Sequence, residues 1–249
     1  MTLTSAVWCQ LPPSLALPVD EVHVWRAPLE QPHDLLHRLR ETLTSDERER
    51  AARFHFERDR GHFIVARGLL RAILGRYLNL EPGRLRFVYQ LYGKPYLTDE
   101  SGGGWLRFNV SHAGELALYA ISRCREVGVD IEKIRTDIEH RQIARQFFSE
   151  REVAAFSSLP EHLQHKAFFL CWTRKEAYIK GIGEGLSLPL CSFDVSLVPG
   201  EPPTLLAVRG SQQEASRWTL RGLEPGPGYE AALVAEGHDW NLKCWQWAD

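Results

Sequence analysis

The chain has 249 residues, of which 44% are hydrophobic and 25% are charged, and its formal net charge at pH 7 is -2. This composition is typical of a globular protein and excludes a disordered or fibrous chain, while the length allows one large domain or two small ones. Five widely spaced cysteines, none in a CxxC pair, argue against a disulfide framework or a zinc ribbon and predict a cytoplasmic location.

The first half of the chain is predicted to contain one strand, three helices and then several hairpin strands. A Pro-rich lead without charged residues comes first, and it supports neither a signal peptide nor a membrane span. Leucines at helical spacing and a capping Ser45 predict the helices, and alternating hydrophobicity after Pro82 predicts the later strands. The predicted elements are a strand at Val22–Arg26, helices around Leu35–Leu43, after Ser45 and at Arg58–Leu80, and strands at Leu85–Leu91, Trp105–Ser111 and Leu116–Ser122.

The second half is predicted to begin with a strand that carries two acids. In VGVDIE, which starts at Val127, branched apolar residues alternate with Gly128, Asp130 and Glu132. A strand here would bury the branched side chains and direct both carboxylates to one side, with their Cα atoms about 6.6 to 6.8 Å apart. The elements predicted after it are helices at Glu139–Phe148, Glu150–Leu159 and His162–Gly181, and strands at Phe193–Val198, Thr204–Val208, Arg217–Leu223, Tyr229–Val234 and Leu242–Trp247.

The last predicted helix ends in the stretch WTRKEAYIKGIGEGLSLPL. Trp172, Glu176 and Lys180 are four residues apart and share a helix face, and the glycines that follow are typical of a helix end. An exposed ion pair between Glu176 and Lys180 would give the same spacing. The two carboxylates of VGVDIE favour a functional interpretation.

Together these segments predict a site for a cation and a polyphosphate. Asp130, Glu132 and Glu176 would give one hard cation three oxygen ligands, a set that suits Mg²⁺ better than Zn²⁺. Positive charge for phosphate would come from Lys94, Lys175, Lys180 and His112 and from the stretch Arg38 to Arg86, which has twelve arginines and seven acids. Lys94 could instead be a solvated turn lysine, and Ser111 with His112 a structural pair. The arginines accompany no nucleic-acid motif, so nucleic acid is not a predicted partner.

Four blocks, GKPYL, FNVSH, VGVDIE and WTRKEAYIKGIGEGLSLPL, resemble the signature blocks of 4'-phosphopantetheinyl transferases of the long single-chain class typified by the surfactin-synthetase activator. The resemblance includes ARFHFERDR and runs from about Ser45 to Phe193. It implies an α+β fold of two similar, pseudo-twofold-related halves, each with helices packed on a small, mostly antiparallel sheet, and coenzyme A in the cleft between them. Residues 1–122 would bind coenzyme A and the carrier protein, and residues 123–249 would contain the magnesium site.

The function implied by this resemblance is transfer of 4'-phosphopantetheine from coenzyme A to a serine hydroxyl of an apo acyl or peptidyl carrier protein. The enzyme would be a magnesium-dependent monomer that releases adenosine 3',5'-bisphosphate. Asp130, Glu132 and Glu176 would bind Mg²⁺, and Asp130, Glu176 and Lys180 would be catalytic. The complete set of predicted coenzyme-binding residues is Arg50, Arg53, Lys94, Ser111, His112, Lys175 and Lys180.

One position departs from the pattern of the family. Some relatives have a lysine where this chain has Glu47, which leaves open how Arg50, Arg53 and Arg67 share the 3'-phosphate of the coenzyme. Two other functions are compatible with the same residues: a non-catalytic protein that binds coenzyme A or a carrier, and a metal-dependent phosphohydrolase that uses water as acceptor. No membrane partner is predicted.

Overall fold

A computed structural model of the chain describes residues 7–12, 15–98, 103–211 and 213–248, so Pro13 of the predicted lead lies outside the described residues. The described part has a mixed α+β fold, as predicted. Its helices are α1 His33–Thr42, α2 Ser45–Ala52, α3 Glu57–Leu78, α4 His140–Phe147, α5 Glu150–Ser158 and α6 Glu161–Ile182. Its strands are β1 Trp8–Cys9, β2 Glu21–Pro28, β3 Phe87–Tyr89, β4 Pro95–Leu97, β5 Leu106–Ala113, β6 Leu116–Arg123, β7 Val127–Lys133, β8 Phe193–Val195, β9 Leu205–Val208, β10 Trp218–Leu223, β11 Tyr229–Glu236 and β12 Asn241–Gln246.

The larger sheet has the strand order β1-β12-β2-β6-β5. β12 lies between β1 and β2 and is parallel to both, whereas β6 is antiparallel to both of its neighbours, β2 and β5. This sheet is therefore mixed: β2, β6 and β5 pair antiparallel as predicted, and the parallel pairing arises because a strand from the end of the chain inserts among strands from its beginning. The division into halves at residue 122 and their pseudo-twofold relation stay predictions.

The two main sheets stack face to face between helices. The smaller sheet has the order β10-β11-β7 and is antiparallel. Val22 and Leu118 of the larger sheet share one buried cluster with Val129 and Leu233 of the smaller sheet, so this cluster fills the space between them. α1 and α3 cover the outer face of the larger sheet, and α6 covers the outer face of the smaller one. Among the described residues no helix is long and apolar enough to cross a bilayer.

Local sequence explains three of the helix boundaries. α2 begins with a capping box in which the N-cap is Thr44, one residue before the predicted Ser45, and its partner is Glu47. α5 is capped by Ser149, whose hydroxyl accepts a hydrogen bond from the backbone N–H of Glu152. α6 ends at Gly183, which has a φ of 76° and so takes the left-handed conformation that glycine favours.

Candidate active site

The candidate site lies where β5, β7 and α6 meet. The amide oxygen of Asn109 on β5 accepts a hydrogen bond from the backbone N–H of Val129 on β7, at 3.0 Å. α6 packs against β7 at Gly128, where a Cβ atom would lie 2.1 Å from the carbonyl oxygen of Ala177 and 2.3 Å from the backbone nitrogen of Gly181. Only glycine permits this approach, which brings the polar face of α6 to the acids of β7.

Three of the predicted site residues are in direct contact. The Ser111 hydroxyl donates to Asp130 Oδ1 at 2.9 Å, and Lys180 Nζ donates to the same oxygen at 2.6 Å and to Ser111 Oγ at 2.9 Å. The Asp130 side chain is only 3% exposed, and its second oxygen, Oδ2, is buried without a hydrogen-bond partner among the described residues. Such an oxygen is costly unless a donor or a cation reaches it.

The other two acids are electrostatically linked to Asp130. Burial raises the pKa of Asp130, and Lys180 opposes this increase. Burial and the charge of Asp130 together raise the pKa of Glu132 to about 6, although a hydrogen bond from Trp172 lowers it. Burial and Asp130 also raise the pKa of Glu176. The three carboxylates are therefore close enough to disfavour each other's ionisation.

The chemistry of these residues fits a magnesium ion. Their donors are carboxylate oxygens, and Asp130 Oδ2 is a buried acceptor that has no donor. In the described ranges, however, no three acidic, histidine or cysteine side chains converge as a preformed metal site. Lys180 forms an ion pair with Asp130 at 2.6 Å. The metal site remains a prediction.

We expect the Glu132→Gln variant to be more stable than the wild type in the ligand-free form at pH 7.5. The folded-state pKa of Glu132, about 6, is above its ordinary value of 4.5, so this group stabilises the fold at low pH and that contribution is lost as the pH rises from 4.5 through 6. With allowance for solvent screening, the loss is about 1 kcal/mol, or about 2 to 4 °C in Tm. Thermal melts should show the difference at pH 7.5 and not at about pH 4; an equal shift at both values would contradict its electrostatic origin.

A cleft of about 770 Å³ opens beside these residues. This volume is typical of pockets for small molecules and cofactors. Its polar wall brings together five predicted site residues, namely Arg50, Lys94, His112, Glu176 and Lys180. Its apolar wall includes Phe63, Leu70, Val110 and Ile179. Burial lowers the pKa of His112, and the nearby charges of Lys180 and His62 lower it further.

Two predicted coenzyme-binding residues lie elsewhere. Lys175 is fully buried, and its ammonium forms an ion pair with Glu152 at 2.7 Å and donates to the carbonyl oxygens of Leu190 and Phe193. Its prediction as a coenzyme contact is wrong, because it points into the core of the second sheet and its helices. Arg53 is exposed beside Arg50, outside the lining of the cleft.

Lys94 lines the cleft, and its ammonium is held by three acceptors of the protein. Its ammonium donates to Glu126 Oε2 at 2.8 Å, to the Gly181 carbonyl at 2.8 Å and to the Val127 carbonyl at 3.2 Å. The side chain is 9% exposed, so it is not a solvated turn lysine. All three ammonium protons have protein acceptors, so contact with a coenzyme would require one of these bonds to break.

We expect Lys94→Met to lower Tm by several degrees in the absence of any ligand. Methionine keeps most of the apolar stem but leaves the Gly181 and Val127 carbonyls without this donor, at a cost of about 1.5 to 3 kcal/mol. Glu126 retains its ion pair with Arg107. A thermal melt equal to that of the wild type would show that the hydrogen bonds of Lys94 contribute nothing to stability.

The structure adds two residues whose position the sequence did not establish. Asn109 of FNVSH lines the cleft and fixes β7 through Val129. Its position two residues before Ser111 on one strand, and so on the same face, was the available signal. Arg67, which the family resemblance left open beside Arg50 and Arg53, also lines the cleft, whereas Arg53 does not.

Comparison with known proteins identifies the family. Residues 126–234 match the model of the 4'-phosphopantetheinyl transferase superfamily, and residues 20–124 match that of the 4'-phosphopantetheinyl transferase N-terminal region. The 4'-phosphopantetheinyl transferase HetI of Nostoc sp. is 42% identical over 96% of this chain and 98% of its own length. The 4'-phosphopantetheinyl transferase Sfp of Bacillus subtilis is 32% identical over 79% of this chain and 84% of its own.

A solved structure, the holo-[acyl-carrier-protein] synthase AcpS of Thermotoga maritima, overlaps 45% of this chain and 62% of its own with a TM-score of 0.36 and 19% identity, an overlap too small to bear on the whole fold. The matches to the family models and to the relatives extend over nearly the whole chain and are sufficient to assign the family. The chain belongs to the 4'-phosphopantetheinyl transferase superfamily and is a phosphopantetheinyl transferase.

Proposed function

We propose that this enzyme transfers the 4'-phosphopantetheine group of coenzyme A to a serine hydroxyl of an apo acyl or peptidyl carrier protein and releases adenosine 3',5'-bisphosphate. Coenzyme A would bind in the cleft, and the enzyme would act as a monomer with Mg²⁺. The observation that carries this proposal is the contact of Lys180 with Asp130 and Ser111 at the cleft wall, beside Glu176.

The reaction exchanges one phosphorus–oxygen bond for another. The serine oxygen bonds to the phosphorus that bears pantetheine, the bond from this phosphorus to the bridging oxygen of the diphosphate breaks, and the serine loses its proton. Lys180 donates to a diphosphate oxygen and stabilises the charge that develops on the leaving group. Glu176 accepts the serine proton, directly or through water, and its raised pKa suits this role.

A bound Mg²⁺ would be held by Asp130, Glu132 and Glu176 and would supply positive charge to the phosphate oxygens. Ser111 orients Asp130 through its hydrogen bond. Arg50 and His112, on other parts of the cleft wall, would bind the 3'-phosphate. The apolar wall would exclude water that otherwise competes with the serine.

The proposal is tested by incubating the enzyme with coenzyme A, Mg²⁺ and an apo carrier protein and measuring the mass of the carrier. Gain of one phosphopantetheine, lost again when the acceptor serine is replaced by alanine, is the expected result. Consumption of coenzyme A with an unchanged carrier would instead indicate a phosphohydrolase. An unchanged carrier and unchanged coenzyme, with coenzyme bound, would indicate a binding protein.

A further inference from the structure

The strand next to β7 carries a further acid beside the predicted metal site. In the antiparallel pairing of β11 with β7, Glu230 lies directly opposite Glu132. Residues paired in this way point to the same face of the sheet, and their Cβ atoms are about 4.5 to 5.5 Å apart. The side chain of Glu230 is only 14% exposed. A fourth carboxylate is therefore half-buried next to those of Asp130, Glu132 and Glu176.

Two cations of α6 balance the charge of Glu230 only in part. Lys166 Nζ lies 3.7 Å from Glu230 Oε1, but the lysine side chain is 58% exposed, so solvent weakens this ion pair. Arg174 is buried nearby, and its guanidinium donates to the carbonyl oxygen and the hydroxyl of Ser196, at 2.7 and 3.1 Å. Like charges directly opposite on paired strands are destabilising. The fold therefore keeps a repulsive pair, Glu132 and Glu230, at the edge of the site.

We infer that Glu230 is a positioning residue of the metal site and that its negative charge raises the affinity of the site for a divalent cation. Glu230 acts through Glu132 and not as a ligand, because its own carboxylate is paired with Lys166. The inference rests on the proposed function, in which Asp130, Glu132 and Glu176 bind Mg²⁺.

The physical basis is the repulsion between Glu230 and Glu132. A divalent cation on Glu132 reverses the sign of the local charge, so the repulsion that Glu230 feels without the cation becomes an attraction when it binds. Solvent screens this interaction little, because the side chains of Glu230 and Asp130 are only 14% and 3% exposed. Asp130 Oδ2, which is buried and has no hydrogen-bond partner within the described ranges, gives the site an acceptor for the ion. Groups behind the ligands of a metal commonly tune its affinity in this way.

The test is a titration of the full chain with Mn²⁺ at pH 7.5, in which electron paramagnetic resonance measures the free ion. Mn²⁺ is a suitable probe because it shares the preference of Mg²⁺ for oxygen ligands in octahedral geometry. For Glu230→Gln we expect the affinity to fall by about 3- to 10-fold, and for Lys166→Met we expect it to rise by about 2- to 5-fold. Asp130→Asn should remove the binding, which would show that the ion occupies this site.

Glu236→Gln is the matched control. Glu236 is on the same strand and forms an ion pair with Arg217 at 2.8 Å, but it lies six residues from Glu230, about 20 Å along the strand. Its substitution should leave the affinity for Mn²⁺ unchanged.

The opposite signs expected for the two variants separate a charge effect from a structural one. Lys166→Met also covers failure of Glu230→Gln to fold, which a thermal melt would show. Unchanged affinity in Glu230→Gln, or a loss of affinity in Lys166→Met, would overturn the inference while leaving the proposed function intact. A wild-type protein that binds no Mn²⁺ would overturn the metal site of the proposed function and this inference with it.

Discussion

Replacing Asp130 with asparagine should reduce kcat/KM for phosphopantetheine transfer by about 10³-fold, which corresponds to about 4 kcal/mol of transition-state stabilisation. The carboxylate is the shared acceptor for Lys180 and Ser111, and it supplies the buried oxygen that is predicted to face the cation. Asparagine has nearly the same shape but cannot neutralise Lys180 or Mg²⁺. Transfer would be measured by the mass gain of the carrier under single- and multiple-turnover conditions.

The same substitution should not reduce folding stability. Burial raises the pKa of Asp130, which means that ionisation of this carboxyl is less favourable in the folded protein than in the unfolded chain. Removal of the charge therefore relieves a cost, and Lys180, whose side chain is 29% exposed, can be solvated instead. We expect a Tm at or above that of the wild type, so that the loss of activity is not accompanied by a loss of stability.

Asp194→Asn is the control for this experiment. Asp194 is also a buried aspartate, and it forms an ion pair with Arg209 at 3.1 Å, but it does not line the cleft. Its substitution should leave kcat/KM unchanged. Near-normal turnover of the Asp130 variant, or an equal loss in the Asp194 variant, would remove Asp130 from the proposed reaction.

Periodicity alone predicted which site residues share a face of the same helix or strand. Alternation along VGVDIE predicted that Asp130 and Glu132 share a strand face, and the spacing of Glu176 and Lys180 predicted their common helix face. The same helical geometry argues against Lys175, which is five residues before Lys180 and so about 140° away around the helix. Its buried pairing with Glu152 follows from that direction.

These local patterns could not predict contacts between segments that are distant in the sequence. Lys94 binds acceptors on β7 and α6 that lie more than thirty residues later in the chain, and no local signal identifies them. The insertion of β12 beside β2 is of the same kind, since a strand pattern predicts pairing but not the partner. Local patterns therefore predicted the helices and strands and several site residues. The order of strands in the larger sheet and the acceptors of Lys94 required the three-dimensional structure.

The Gly128→Ala substitution should disrupt stability and activity together. The added Cβ would lie 2.1 Å from the Ala177 carbonyl oxygen and 2.3 Å from the Gly181 nitrogen, and both are backbone atoms of α6 that no side-chain rotation can move. α6 must shift away from β7, at a cost of about 3 kcal/mol or about 6 to 12 °C in Tm. Because Glu176 and Lys180 move with the helix, we expect kcat/KM at a permissive temperature to fall by about 10²-fold.

Gly61→Ala distinguishes this close contact from a general effect of adding a methyl group. Gly61 lies in α3, and a Cβ there would meet nothing within 4 Å, so alanine should raise stability by about 0.5 to 1 kcal/mol through its higher helix propensity. Thermal melts and carrier mass gain measured on both variants provide the comparison. A Gly128→Ala variant with wild-type Tm and turnover would contradict this prediction. It would show that the close contact between α6 and β7 is not needed to position Lys180 against the acids of β7.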